Sequence, residues 1–172
     1  MRKKIIITGG LGYIGTELCK LYSGLSRYHS ITIFDSRFIS ERVNQIRNWD
    51  MEYVQGDILD KKLVREKFKN ADVVHHLAGI TDVPRTKNES NFELDEKIRL
   101  VGEEGTQNIL DSISNNCKII FPSTHVVFEG NDRVNIDITE LDEIGLIKKA
   151  ISLLRNDFNN NPQTMGKSDS AY

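Results

Sequence analysis

Four glycines within seven residues, in Thr8-Gly9-Gly10-Leu11-Gly12-Tyr13-Ile14-Gly15, are the densest chemical signal in the chain. Gly10, Gly12 and Gly15 satisfy G-x-G-x-x-G, and Gly9, Gly12 and Gly15 satisfy the looser G-x-x-G-x-x-G. Glycines at this spacing serve three needs of a pyrophosphate site. One allows a tight turn out of a strand, one lets backbone approach the phosphates, and one lets the next helix pack closely on the strand. A helix that starts in the turn also aims free N–H groups and its positive dipole end at an anion. Asp35 follows Gly15 by twenty residues. A carboxylate there accepts hydrogen bonds from ribose hydroxyls and repels a 2′-phosphate, which points to NAD rather than NADP. Arg37, two residues on, works against that selectivity. The competing reading is a glycine turn that binds nothing, with Asp35 as a helix cap. The order strand, turn, helix, strand argues against it.

The elements that must position these residues follow from hydrophobic periodicity. Residues 3–8, rich in β-branched side chains, read as a buried strand, as do 30–35, 51–55, 72–78 and 118–122, with a short extended piece at 126–128. Between them lie helical patterns. Ile14, Leu18, Leu21, Tyr22 and Leu25 form one apolar stripe. Residues 41–49 and 60–68 are shorter helices, and 91–115 is a long one lined by Leu94, Ile98, Val101, Ile109 and Ile113. Gly102 and Gly105 lie near that lined face, where each costs about 1 kcal/mol of helix stability, so a close packing contact is expected at both. This alternation predicts an α/β fold: a Rossmann-type doubly wound parallel sheet with helices on both faces. An amphipathic helix over 142–158 carries Ile144, Ile147, Ile151, Leu154 and Phe158, and Asn159-Asn160-Asn161-Pro162 ends it. The expected division is a dinucleotide-binding domain over 1–140 and a helix with a polar tail over 141–172.

Composition narrows the function classes. The 172 residues are 38% hydrophobic and 28% charged, with a net charge of -2, which describes a soluble globular chain without a basic nucleic-acid footprint. Apolar runs such as Ile5-Ile6-Ile7 are too short to span a bilayer, and the first residues do not read as a secretory leader. Cys19 and Cys117 have no metal spacing and read as buried thiols in a reducing cytoplasm. His75-His76 lie on opposite faces of a strand with no third ligand at metal spacing, so a structural or cofactor-flanking role is expected and no metal site. His125 reads as a loop or rim residue, and Trp49 as a cap on the sheet edge. The charged run Glu93 to Glu104 reads as a solvated helix face.

Taken together, several motifs resemble the extended short-chain dehydrogenases/reductases, specifically the N-terminal portion of the NAD-dependent epimerase/dehydratase family acting on nucleotide sugars. They are the glycine turn, Asp35, Gly56-Asp57-Ile58, His76-Leu77-Ala78-Gly79, Gly105-Thr106-Gln107-Asn108-Ile109-Leu110 and Phe121-Pro122-Ser123-Thr124. The resemblance spans Lys4 to about Glu140. It implies that Gly9, Gly12, Tyr13, Ile14 and Gly15 meet the pyrophosphate, Asp35 the ribose, and Asp57 and Ile58 the adenine. It places Leu77, Ala78 and Gly79 beneath the cofactor and Ser123 or Thr124 near the nicotinamide. It also gives the Thr124 hydroxyl the reacting substrate oxygen, and it gives a tyrosine the role of general base. A lysine four residues later in the family lowers that tyrosine's pKa, which a phenol near pKa ~10 needs at neutral pH.

Two departures stand out. The family often has Asn three residues before the Gly-Thr of the long helix; Gly102 stands there. Tyr172 has the family's neighbours in Ser168-Asp169-Ser170-Ala171, yet it lies 48 residues beyond Thr124 and is the last residue of the sequence. Two readings of it stand: the catalytic tyrosine at a truncation point, or an incidental terminal residue. The expected function is an NAD-dependent epimerase, dehydratase or reductase of a nucleotide sugar. The alternative is a noncatalytic dinucleotide-binding module, either a redox sensor or a truncated pseudoenzyme. The expected partner is a nucleotide-sugar substrate, with no nucleic acid and no membrane, and a homodimer would form through the helix 91–115. The expected location is the cytoplasm.

Overall fold

The computed structural model describes residues 1–80 and 92–122. Its described elements alternate as the hydrophobic patterns require. They are β1 (Lys4–Thr8), α1 (Tyr13–Tyr22), β2 (Ser30–Asp35), α2 (Ser40–Asn48), β3 (Glu52–Gln55), α3 (Lys61–Phe68), β4 (Val73–His76), α4 (Phe92–Leu100), a π-helical turn (Val101–Gly105), α5 (Thr106–Leu110) and β5 (Lys118–Ile120). All four strand pairings are parallel, in the order β3-β2-β1-β4-β5. The chain winds outward from β1 to β3, then crosses back to β4 on the other side of β1. This reversal makes the cleft between the C-terminal ends of β1 and β4 the topological switch point, where open α/β sheets bind ligands.

Alternation along each strand splits the core into two layers. Ile5, Ile7, Ile31 and Ile33 pack with Leu11, Cys19, Val43, Ile46 and Met51. Leu18, Tyr22 and Trp49 pack against this layer, so Trp49 joins the core. On the opposite face, Phe34 and Phe68 meet edge to face at 5.3 Å, and Ile6, Val64, Val74 and Ile109 are fully buried. The two histidines of β4 obey the same alternation. His75 Nε2 meets the Tyr22 hydroxyl of α1 at 2.8 Å, and His76 turns to the other face.

The structure revises four details. The apolar stripe assigned to α1 is only partly its buried face: Leu18 and Tyr22 pack against the core, but Ile14 and Leu21 are 64% and 76% exposed, while Gly15 and Cys19 are buried. The closest approach of the helix, to the backbone of Gly9 and Gly10, is made by Gly15 and Cys19. The long helix ends at Leu110 instead of Asn115 and is interrupted by the π turn. Within that turn Gly105 is packed tightly and Gly102 faces open space, so only one of the two glycines has the expected contact. Glu103, expected on a solvated face, is buried, with an oxygen 3.1 Å from the Arg99 guanidinium one turn earlier. The extended piece at 126–128 and the helix at 142–158 lie outside the described residues.

Candidate functional site

The site is built at the C-terminal ends of β1, β2 and β4. β1 runs directly into Gly9, which adopts φ +65°, a conformation that glycine takes without strain. Its N–H donates to the Phe34 carbonyl at 2.9 Å, tying the turn to β2. A Cβ on Gly9 would sit 2.8 Å from the Ala78 nitrogen and the Leu77 carbonyl carbon. The turn and the end of β4 therefore touch backbone to backbone. The Gly12 N–H closes the turn onto the Gly9 carbonyl at 2.9 Å, and the Thr16 N–H and hydroxyl both donate to the Gly12 carbonyl. Gly15 lies one helical turn further on. A Cβ there would overlap the Gly9 carbonyl oxygen and come within 2.6 Å of Gly10 Cα.

The start of α1 fits an anion. Gly12 is its N-cap and no side chain caps the helix. Tyr13 and Ile14 of the first turn point outward, and a Cβ added to Gly12 would meet, among the described residues, the Gly9 oxygen and, at 3.7 Å, the Arg37 guanidinium. A methyl-free surface with uncapped N–H groups and an adjacent cation is what a pyrophosphate requires.

Asp35 ends β2 at this turn, but its carboxylate is engaged within the protein. One oxygen accepts the Leu11 N–H at 2.9 Å; the other accepts the Arg37 N–H at 3.0 Å and faces Arg37 Nε at 3.4 Å. The side chain is only 4% exposed. Asp35 is not a helix cap, because α2 starts at Ser40. It braces the glycine turn against β2, and the Arg37 side chain covers its outer edge. Arg42 of α2 adds a hydrogen bond to the Leu11 carbonyl from the other side.

The turn after β3 carries Asp57 and Ile58. Asp57 accepts the Leu59 N–H at 2.9 Å and is exposed, while Ile58 is buried. Gly105 receives Ile58: a Cβ there would lie 2.6 Å from Ile58 Cγ1. Asn108 donates to the Ile58 carbonyl at 3.1 Å. After β4, Leu77 and Ala78 are half-buried and Gly79 is exposed. The backbone N–H groups of Leu77 and Ala78 both donate to Thr8 Oγ1, at 3.1 and 3.0 Å.

Four buried groups have shifted acidities, three of them on the elements that carry the site and Cys117 at the opposite end of the sheet. Burial pushes the His76 pKa down to about 4 and lowers that of His75. It pushes the Cys19 thiol up to about 12, which makes it an inert core residue, and the Cys117 thiol up to about 11. Both cysteines are free, and no metal-binding group of His, Cys, Asp or Glu occurs among the described residues.

The structure thus brings Gly9, Gly12, Tyr13, Ile14, Gly15, Asp35, Leu77, Ala78 and Gly79 to one edge of the sheet, with Asp57 and Ile58 in the turn after β3. Ser123, Thr124 and Tyr172 lie outside the described residues. Sequence reasoning did not single out Thr8, Thr106, Asn108 and Arg42. Thr106 and Asn108 stood inside a recognised motif, but only their contacts reveal that they hold the turns.

The model of the 3-beta hydroxysteroid dehydrogenase/isomerase family matches residues 6–150, and the chain belongs to this family. The resemblance to extended short-chain dehydrogenases/reductases of the epimerase/dehydratase type is borne out. A UDP-N-acetyl-alpha-D-glucosaminuronate decarboxylase of Bacillus cytotoxicus is 34% identical over 130 residues, covering 74% of this chain and 38% of that protein. A CDP-paratose 2-epimerase of Salmonella typhi is 31% identical over 147 residues, covering 80% of this chain and 41% of that protein. Among solved structures, a UDP-glucose-4-epimerase from Stenotrophomonas maltophila with bound NAD shares the fold. Its TM-score is 0.61 at 20% identity, over 94% of this chain and 50% of that one. The chain spans about two fifths of the length of these curated relatives.

Proposed function

We propose that this chain is the NAD-binding part of a nucleotide-sugar oxidoreductase of the epimerase/dehydratase type. The observation that carries the reading is the glycine turn at the switch point. Gly9 is in contact with the end of β4, Gly15 is packed on the turn, and α1 begins with no side-chain cap. In this reading Gly12, Tyr13, Ile14 and Gly15 hold the pyrophosphate. Asp57 and Ile58 flank the adenine, and Leu77, Ala78 and Gly79 lie under the cofactor. Asp35 takes the ribose hydroxyls through its remaining lone pairs once Arg37, whose side chain is 56% exposed, swings outward. The relatives named for sugar nucleotides support the substrate class. Bound NAD would supply a hydride acceptor at its nicotinamide ring.

The roles of Ser123, Thr124 and Tyr172 belong to the same proposal. Ser123 would border the nicotinamide, the Thr124 hydroxyl would hold the reacting sugar oxygen, and Tyr172 would take its proton. The reducing cytoplasm is the proposed compartment, in keeping with two free, buried thiols. Among the described residues no helix is long and apolar enough to cross a membrane. A homodimer through residues 91–115 is part of the same reading.

Calorimetric titration with NAD and NADP tests the binding. NAD is expected to bind at least about tenfold more tightly than NADP, the discrimination given by one charge–charge conflict of ~1.4 kcal/mol. No heat with NAD would overturn the reading. Binding of NAD without turnover of any nucleotide sugar would favour a noncatalytic dinucleotide module.

A further inference from the structure

A chain of buried hydrogen bonds crosses the β4 layer from α5 to the glycine turn. Thr8 Oγ1 accepts two backbone N–H groups, from Leu77 and Ala78, and lies 2.9 Å from His76 Nδ1. A hydroxyl oxygen has two lone pairs. Both are taken, so the Thr8 hydroxyl proton points to Nδ1, and Nδ1 is the acceptor. The neutral imidazole must then carry its proton on Nε2. Nε2 lies 2.9 Å from Thr106 Oγ1, and the Thr106 hydroxyl donates onward to the Gly102 carbonyl at 2.6 Å. Every bond runs in one direction: from the Leu77 and Ala78 N–H groups through Thr8, His76 and Thr106 to Gly102. Such head-to-tail chains polarise one another and leave one tautomer. Thr8, His76 and Thr106 are at most 1% exposed, and Phe121 packs at 5.3 Å over the imidazole.

We infer that Thr106 and His76 are positioning residues that fix the Leu77–Ala78 backbone, and hence the floor of the dinucleotide site, from the far side of the sheet. The Leu77–Ala78 peptide is pressed against Gly9, so any shift of it moves the wall of the glycine turn. The same short stretch of helix also holds the other end of the site. Gly105 seats Ile58, and Asn108 binds the Ile58 carbonyl. Residues 105, 106 and 108 therefore set the spacing between the turn after β3 and the end of β4. The relevance to a cofactor rests on the proposed NAD reading; the positioning itself does not.

The test uses the 172-residue chain with Thr106→Val, which keeps the shape and removes the hydroxyl, and Thr106→Ser, which keeps the hydroxyl. Amide hydrogen exchange is read at Leu77 and Ala78 and, as internal reference, at Ile6 and Ile33. Thr106→Val is expected to speed exchange at Leu77 and Ala78 by about tenfold, the scale of one lost hydrogen bond, and to weaken NAD binding several-fold. Ile6 and Ile33 should keep their protection, and Thr106→Ser should restore both readouts. Unchanged exchange at Leu77 and Ala78 would overturn the inference. So would an equal rise at Ile6 and Ile33, which would mark Thr106 as a merely stabilising residue. If the exchange contrast is present but the unsubstituted chain binds no NAD, the positioning stands and the dinucleotide reading falls.

Discussion

Replacing Gly15 by alanine should damage the glycine turn despite improving helix propensity. The new Cβ would lie 2.6 Å from Gly10 Cα and 2.9 Å from the Gly10 carbonyl carbon, and would overlap the Gly9 carbonyl oxygen. All three atoms are backbone, so no side chain can rotate away. Restoring ordinary contact near 3.4 Å requires α1 and the turn to part by close to 1 Å. Overpacking of this kind costs ~3 kcal/mol at its upper range. Alanine in a helix recovers about 1 kcal/mol over glycine. The net loss is about 2 kcal/mol, or roughly 4–8 °C in Tm for a chain of this size. NAD affinity should fall further than stability, because in the proposed function the displaced groups are the ones that meet the phosphates. Gly102→Ala is the matched control. It too lies within a helical segment, a π turn, and nothing among the described residues comes within 4 Å of its Cβ, so it should leave Tm unchanged or raise it. Thermal unfolding by circular dichroism and calorimetry with NAD would measure both. The reasoning is refuted if Gly15→Ala melts at or above the parent and binds NAD equally.

Acid should weaken the fold through His76. Its pKa is about 4 when folded and near ~6.5 in an unfolded chain, so above that both states are neutral and nothing is lost. Between the two values the unfolded state binds the extra proton, and stability falls as pH falls, by about 3 kcal/mol in total before levelling off. His75 is lowered too and adds in the same direction. Urea midpoints from pH 7 to 4 should therefore fall more steeply for the parent than for His76→Gln; parallel curves would contradict this. Asp35→Ala should cost about 2 kcal/mol by leaving the Leu11 N–H without its buried acceptor, as read from urea unfolding. An unchanged midpoint would mean that the brace carries no weight.

The fold was legible because each strand of the parallel sheet is a short β-branched run closed by a turn residue. Ile5, Ile6 and Ile7 are all buried since helices cover both faces, and such strands read as continuous apolar runs. The glycine turn was legible because backbone packing against backbone leaves room for no other residue. The face of α1 was half legible, with Leu18 and Tyr22 on the core and Ile14, Leu21 and Leu25 exposed, for the same physical reason. Periodicity weights large apolar side chains, whereas the contact that brings α1 close is made by Gly15 and Cys19. The reach of Asp35 was half legible. Its position follows from spacing, but its hydrogen bonds to Leu11 and Arg37 depend on how the turn folds back over β2.

The π turn was illegible because its sequence, Val101-Gly102-Glu103-Glu104-Gly105, contains nothing that excludes an α-helix. Its cause lies in what the helix must touch. Val101, Gly105 and Ile109 are all buried at successive four-residue steps. In a regular α-helix of 3.6 residues per turn each such step drifts about 40° around the axis, so the two steps from Val101 to Ile109 still share one broad face but spread across it. A wider turn absorbs the drift and keeps Gly105 on Ile58 while Ile109 reaches the core. Within this turn the Gly102 carbonyl accepts the Thr106 hydroxyl, the last bond of the chain that runs through His76. A π turn costs helix stability, and here it is offset by two contacts at opposite ends of one binding edge. Deleting one residue from 102–104 to restore a regular helix would turn Val101 and the residues before it relative to Gly105 and Thr106, so the Thr106 hydroxyl should lose its Gly102 carbonyl.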